Sequence, residues 1–257
     1  MCEEFDIGVR QGLADQLGPD RPIAAFESPG LDGREPPLSS IDAIAARYVA
    51  ELLPTAPSRF HVLGICWGAA VAFEMAKQLT AHGRQPASII LMDPAVLMRG
   101  PAAQPPRFGA LEFVQGRLAL YLDEFRKSDW RDRGLMIARK ATRTMELLSG
   151  GDERAKTRTE LSRDRVLNAN LAAIANYRPE RYHGSARIFI TAERDLEGRS
   201  DWRFEWASLF TPQPDVVTIG GVDTGGALSS AHVHGFARAV SAWLDAAESQ
   251  RSAHSST

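Results

Sequence analysis

The sequence predicts a single α/β domain, a mostly parallel sheet with helices on both faces and a helical insertion near its middle. Three observations predict it. Short apolar runs alternate with helix-like stretches, the order that βαβ units need. The strand-like runs are apolar at consecutive positions, as in strands buried on both faces of a parallel sheet. A chain of 257 residues that is 44% hydrophobic is long and apolar enough for one large core, so residues 1–257 are read as one domain.

In chain order, Arg10 to Leu17 reads as the end of a helix, and "RPIAAFESPG" (Arg21 to Gly30) as a short strand closed by Pro29 and Gly30. "SIDAIAARYVAELL" opens on Ser40 and spaces Ile41, Ile44, Ala45, Tyr48, Val49 and Leu52 on one helical face. "RFHVLGI" is the next strand, Ala69 to Ala81 the next helix with Gly83 as its stop, and "ASIILMD" (Ala87 to Asp93) the strand after it. From Gly100 to Pro179 the pattern is helical only: "FGALEFVQGRLALYLDEF", "LMIARKATRTMELL" and "RVLNANLAAIANY", joined by polar segments such as "SGGDERAKTRTE". Residues 100–179 therefore read as a helical lid over the sheet's edge. The sheet resumes in "ARIFITAE" and "DVVTIGG", and Val233 to Ala247 forms the last helix.

Composition excludes several functions. A net charge of −2 with interspersed signs gives no basic stripe for nucleic acid or an anionic membrane. Two cysteines, Cys2 and Cys66, make no disulfide framework and fit a reducing cytoplasm. The N-terminus lacks the basic and apolar regions of an export signal, and no run approaches the length of a membrane span. Metal-ligand spacing and cofactor fingerprints are absent; "GGVDTGG" lacks the strand–turn–helix setting of a phosphate loop.

The chemistry centres on "FHVLGICWGAAVA", in which a strand turns through Gly64-Ile65-Cys66-Trp67-Gly68 into a helix. That is the outline of a nucleophile elbow with sulfur in place of the usual oxygen. The sharp turn exposes the side chain of Cys66, and the positive end of the following helix favours thiolate over thiol. Gly64 and Gly68 remove side chains where strand and helix approach each other. The bland alternative is a small buried hydrophobe, as free cysteines often are.

"SPGLDGREPPLSSIDAIAARYVAELL", "FHVLGICWGAAVAFEMAKQL", "IILMDPA", "NYRPERYHGSARIFITAE" and "HVHGFARAVSAWL" together resemble the α/β-hydrolase thioesterases of nonribosomal peptide and polyketide assembly lines. The similarity runs over about residues 10 to 245. It implies an α/β-hydrolase fold with a helical lid, and an acyl substrate delivered as a thioester on the phosphopantetheine arm of a carrier protein, with no further cofactor and no metal. It also implies a triad. Asp93, 27 residues beyond Cys66 at the end of the next strand, matches the triad acid, which orients and stabilises an imidazole; its bland alternative is a solvated turn residue before Pro94. The backbone N–H of Trp67 matches the oxyanion donor that follows the nucleophile.

Two departures from the family pattern stand out. The resemblance places the triad histidine about eight residues before the last helix, and counting back from His232 reaches Thr224. Either His232 or His234 swings in from the glycine-rich loop, with His232 and its neighbours Ser229 and Ser230 preferred, or the triad is incomplete; a surface histidine in a first helical turn is the bland reading. His61, His82 and His183 read as structural or without a catalytic place. The family's first strand and its oxyanion turn also have no counterpart before the helix that ends at Leu17, so a second oxyanion donor is not identifiable, and the loss of one such contact costs about 10²–10³ in rate. Sulfur, nucleophilic without a strong base, suits such a site. The reading is acyl transfer from a carrier thioester through Cys66, ending on water, an internal nucleophile or another thiol. Its rivals are a non-catalytic carrier-binding protein and a dienelactone-type small-ester hydrolase, against which the long insertion argues. Phe113, Leu118, Tyr121, Met136 and Met145 are candidates to line a lid pocket, or simply pack the lid onto the body.

Overall fold

The computed structural model describes residues 13–95, 110–127, 130, 133–134, 137, 158–192, 206–228 and 232–254. Four strands form a fully parallel sheet in the order β1, β2, β4, β6: His61–Ile65, Ser88–Met92, Ala186–Ile190 and Val216–Thr218. The consecutive apolar runs explain this directly, since β2 is buried at all five positions and must be covered on both faces.

Side-chain alternation splits the core in two. Val62, Ile89, Leu91, Ile188 and Ile190 pack on one face with α2 (Ile41–Leu52) and α3 (Gly68–Ala81). Ile65, Ile90, Met92 and Phe189 pack on the other with Leu13 of α1 (13–17) and Phe236, Ala237, Val240 and Leu244 of α7 (Val233–His254). The period of two along each strand sends neighbours to opposite faces.

Local signals account for the helix limits. Ser40 caps α2 by accepting the amide of Ala43, and Gly83, at φ 72°, takes the left-handed turn that ends α3. α7 runs seven residues past Ala247 because "ESQRSAH" contains no helix breaker. Between β2 and β3 (Tyr182–His183) lie α4 (Ala110–Lys127) and α5 (Arg158–Asn176). α5 begins inside what the sequence suggested was a polar connection, since Glu160 suits a first helical turn. Of the stretch "LMIARKATRTMELL" only Ile137 is among the described residues.

One expectation needs correction. Arg21 to Gly30 forms no strand and ends in a turn at Pro29 and Gly30; Pro22 lacks a ladder N–H, and side chains attach the segment instead. Phe26 stacks on Tyr48 with ring centroids 4.7 Å apart, and the Tyr48 hydroxyl donates to the carbonyl of Glu27 at 3.1 Å. A second, two-stranded parallel sheet, β3 with β5 (Phe210–Thr211), was invisible because two-residue strands carry no periodicity. Its aromatics Tyr182 and Phe210 meet Phe73 of α3 edge-on. Among the described residues no helix is long and apolar enough to cross a membrane.

Candidate active site

The sheet brings Cys66 and Asp93 together. β1 pairs with β2 through Ile65 and Met92, so Cys66 and Asp93 each stand one residue beyond that last pair, at the carboxyl ends of adjacent strands, where parallel sheets carry their sites. The amide of Cys66 donates to Met92 at 2.9 Å, and the Cys66 carbonyl accepts from the amides of Ala69 and Ala95, each at 3.1 Å. Both residues hold left-handed backbone angles, φ 55° at Cys66 and 42° at Asp93, a conformation that costs a non-glycine residue free energy and persists only where its surroundings impose it.

Gly64 explains why the elbow fits. A Cβ there would lie 2.4 Å from the Gly68 carbonyl oxygen and 2.6 Å from both the Ala69 Cα and the Ala72 Cβ, so α3 rests directly on the strand backbone. Gly68 departs from expectation, because a Cβ on it would meet nothing within 4 Å; its smallness leaves room beside Cys66 and is not demanded by packing. Cys66 is half-buried against the α7 side of the core. Trp67 follows with helical angles as the N-terminal boundary of α3, which puts its amide in the helix's first turn, where N–H groups point out of the helix.

Asp93 is fully buried, and its carboxylate is held by donors from two other elements. Thr191, just past β4, donates its amide to Oδ1 at 2.8 Å and its hydroxyl to Oδ2 at 2.9 Å. Thr224 donates its hydroxyl to Oδ2 at 2.7 Å. A buried carboxylate needs such donors to offset desolvation. Thr224, the residue at the position where the resemblance placed a histidine, therefore bonds to the matched acid itself. Sequence reasoning missed Thr191 as a partner of Asp93, although its place after "ARIFI", beside the end of β2, was a usable signal.

Thr224 opens a one-turn helix, α6 (Thr224–Ala227), capped by Asp223, whose Oδ1 accepts the Gly226 amide at 2.7 Å. "GGVDTGG" thus does follow a strand and enter a helical turn, contrary to the expectation, but its own carboxylate occupies the turn's N-terminus. Asp223 Oδ2 also accepts the Tyr121 hydroxyl of α4 at 2.8 Å, so a chain of contacts runs from α4 through Asp223 and Thr224 to Asp93.

The remaining candidates fall as follows. His232 is half-buried at the start of α7, with its Nδ1 3.4 Å from where a Cβ on Gly220 would sit, beside the loop that leads to Thr224; His234 is exposed in the helix's first turn. Ser229 and Ser230 lie outside the described residues. His61, at the far end of β1, bonds Ser88 Oγ at 2.5 Å, and His82 bonds the Gln78 carbonyl at 2.7 Å at the far end of α3. His183 lies in β3, exposed, with its carbonyl held by Gln85 at 2.8 Å, also away from Cys66. Leu118 is exposed and Tyr121 half-buried; Met136, Met145 and the Phe113 side chain lie outside the described residues. A polar surface depression of about 190 Å³, lined by Ser58, Arg59, Gln85 and Ser185 among others, sits at the opposite end of the strands.

A parallel sheet with a strand–turn–helix elbow at its carboxyl edge defines an α/β hydrolase-type enzyme. Residues 11–212 match the family model of the thioesterase domain, and the chain belongs to that family. A nonribosomal peptide synthetase of Aspergillus terreus, btyA, is 30% identical over 134 residues, which are 52% of this chain and 12% of that synthetase. The malpibaldin synthetase of Mortierella alpina is 31% identical over 83 residues, 32% of this chain and 2% of that protein. The chain thus spans a small part of these relatives. Among solved structures, the NocB thioesterase domain from the nocardicin cluster superposes with a TM-score of 0.58 at 21% identity, covering 92% of this chain and 87% of that one. The Vlm2 thioesterase domain bound with a dodecadepsipeptide gives 0.55 at 17% identity, covering 91% and 86%. These likenesses establish the fold.

Proposed function

We propose that this thioesterase-family protein transfers an acyl group from a carrier-protein thioester through Cys66, in the biosynthesis of a peptide or polyketide product. The single observation that supports it most is Cys66 itself, held at φ 55° in the turn into α3. A side chain forced into that backbone region at a helix N-terminus is a strained, accessible nucleophile rather than a packing choice. The carrier enters through kinship, since nonribosomal peptide synthetases are among the relatives this chain resembles.

In this reading the Cys66 thiolate attacks the thioester carbonyl carbon, and the carrier's sulfur leaves with the bonding pair. Sulfur replaces sulfur, so the exchange is near even in energy. The Trp67 amide receives the developing oxyanion, and Asp93 ties the end of β2 to the end of β4 and to the α6 turn beside Cys66. His232 is the candidate to take the proton of Cys66 when the thiol must be ionised, and helices α4 and α5 form part of a lid over residues 100–179.

A second reading has one observation in its favour: Asp93 bonds a threonine hydroxyl, as in a protein that keeps the fold for carrier docking alone. Incubation with an acyl-loaded carrier separates the two. The wild type should empty the carrier while Cys66→Ala leaves it loaded; a carrier bound but never emptied favours docking. Turnover of soluble esters without any on the carrier points to a small-ester hydrolase.

A further inference from the structure

One face of α5 buries two polar side chains that bond to nothing described in the fold. Ser162, Val166, Asn170 and Ala173, continued by Tyr177 just past the helix, recur every three or four residues and are all buried, which makes them one helical stripe. Ser162 and Asn170 are only 5% and 6% exposed, yet neither side chain has a hydrogen-bond partner among the described residues. Asn176, although exposed, still donates to the Ala172 carbonyl at 2.9 Å. A buried carboxamide without a partner costs free energy, and native structures hold few of them.

Contacts farther along the chain place Asn170. Beyond α5 the chain follows α3: the Tyr177 hydroxyl donates to Glu74 at 2.9 Å, Glu180 meets Lys77 at 3.5 Å, and Gln85 donates to the His183 carbonyl at 2.8 Å. Residues 177, 180 and 183 thus lead away from the elbow, so α5 reaches this point from the Cys66 side. Asn170 stands seven residues before Tyr177, about 10 Å along a helix, and Cys66 eight residues before Glu74, about 12 Å by the same rise. The core that takes in Ala173 and Ile174 also packs Trp67 and Ala95 beside Cys66. Val166, buried one turn from Asn170, belongs to neither core cluster. The stripe therefore leaves the packed core at the level of the elbow.

We propose that Asn170, with Ser162 farther along the same face, is a hydrogen-bonding subsite for a secondary amide in the acyl chain, set back from the thioester carbonyl; this rests on the acyl-enzyme reading above. Packed helices lie about 8–10 Å apart, and an extended chain spans about 3.3–3.6 Å per residue, so an amide about three residues along the acyl chain comes level with α5. The Asn170 carboxamide has an acceptor oxygen and two donor hydrogens, which match the N–H and C=O of an amide, and the Ser162 hydroxyl can give or take a further bond. An alkyl chain offers neither partner. It would leave the carboxamide buried and unpaired, which is how a site built for hydrogen bonding rejects an apolar ligand.

The test measures, by calorimetry, the binding of two unreactive probes joined to pantetheine through an amide in place of the thioester: N-acetyl-trialanyl and, at equal chain length, undecanoyl. Asn170→Leu should weaken the trialanyl probe on the order of 10-fold, the loss of about one hydrogen bond, and leave the undecanoyl probe bound as tightly or more so, while the urea midpoint does not fall. Asn170→Ala should split the probes in the same direction and serves where leucine does not fit. A folded variant in which both probes change alike, or neither changes, overturns the proposal, and so does a wild type that does not bind the trialanyl probe. A urea midpoint that falls while both probes bind as before would give the carboxamide to the fold instead. Neither probe requires a carrier or a reactive thiol. A protein that never acylates Cys66 therefore contradicts the acyl-enzyme reading yet still reports on Asn170, and one that acylates Cys66 without separating the probes refutes the subsite alone.

Discussion

Cys66 and Asp93 end neighbouring parallel strands in the same register and share a left-handed backbone, at φ 55° and 42°. No other non-glycine residue among those described has a positive φ. Strain of this kind is removed by glycine and kept by alanine. Cys66→Gly should therefore be more stable to urea than Cys66→Ala by about 1 kcal/mol, although both lack the thiol. Equal stabilities would mean that the turn is relaxed.

The two glycines of the elbow should behave oppositely. Gly64→Ala drives a methyl into the backbone of α3 and should cost about 3 kcal/mol, the upper part of the range for overpacking. Gly68→Ala meets open space at a helical position and should be neutral, or stabilising by up to about 1 kcal/mol. Urea titrations of both variants check the pair, and similar losses would contradict the packing described for α3 on β1.

Tyr121 carries a separate expectation. Its hydroxyl on Asp223 ties α4 to the turn that holds Thr224, and Tyr121→Phe removes that bond, worth about 1 kcal/mol. Amide exchange across Ala110–Lys127 should quicken while α3 keeps its protection. Unchanged exchange in α4 would show that this bond does not secure the helix.

Alkaline pH should weaken the fold through two buried tyrosines. Burial pushes the Tyr48 hydroxyl up to about 12, and burial, then the charge and hydrogen bond of Glu74, raise Tyr177 strongly. The native state holds these protons more tightly than the unfolded chain. The stability they contribute is thus complete below about pH 10, the ordinary tyrosine value. It falls as pH climbs toward and through the raised native values. Urea midpoints measured between pH 8 and 12 should decline above pH 10, and Tyr48→Phe should make the decline shallower. A flat profile would contradict the burial of these hydroxyls.

Much of this architecture was legible because it repeats. The apolar runs of β1, β2 and β4, the Ser40 cap and the glycine-flanked Cys66 each leave a local mark, and Gly64-Ile65-Cys66-Trp67-Gly68 marks the sharp turn at Cys66 in sequence alone. What escaped was non-local. The two-residue strands β3 and β5 exist only because Tyr182 and Phe210 pack against Phe73, and Arg21 to Gly30 looked like a strand although its attachment comes from Phe26 on Tyr48. The Thr191 and Thr224 hydroxyls reach Asp93 from 98 and 131 residues away in sequence, which no spacing rule links. Counting to position 224 found a missing histidine; only the fold revealed that the threonine there takes hold of the acid.

The most direct test of the central claim is to quench the protein during reaction with an acyl-loaded carrier, digest it and locate the acyl mass. That mass should appear on the peptide containing Cys66 and disappear in Cys66→Ala. An acyl group found on another residue, or one that forms equally without the sulfur, would contradict it.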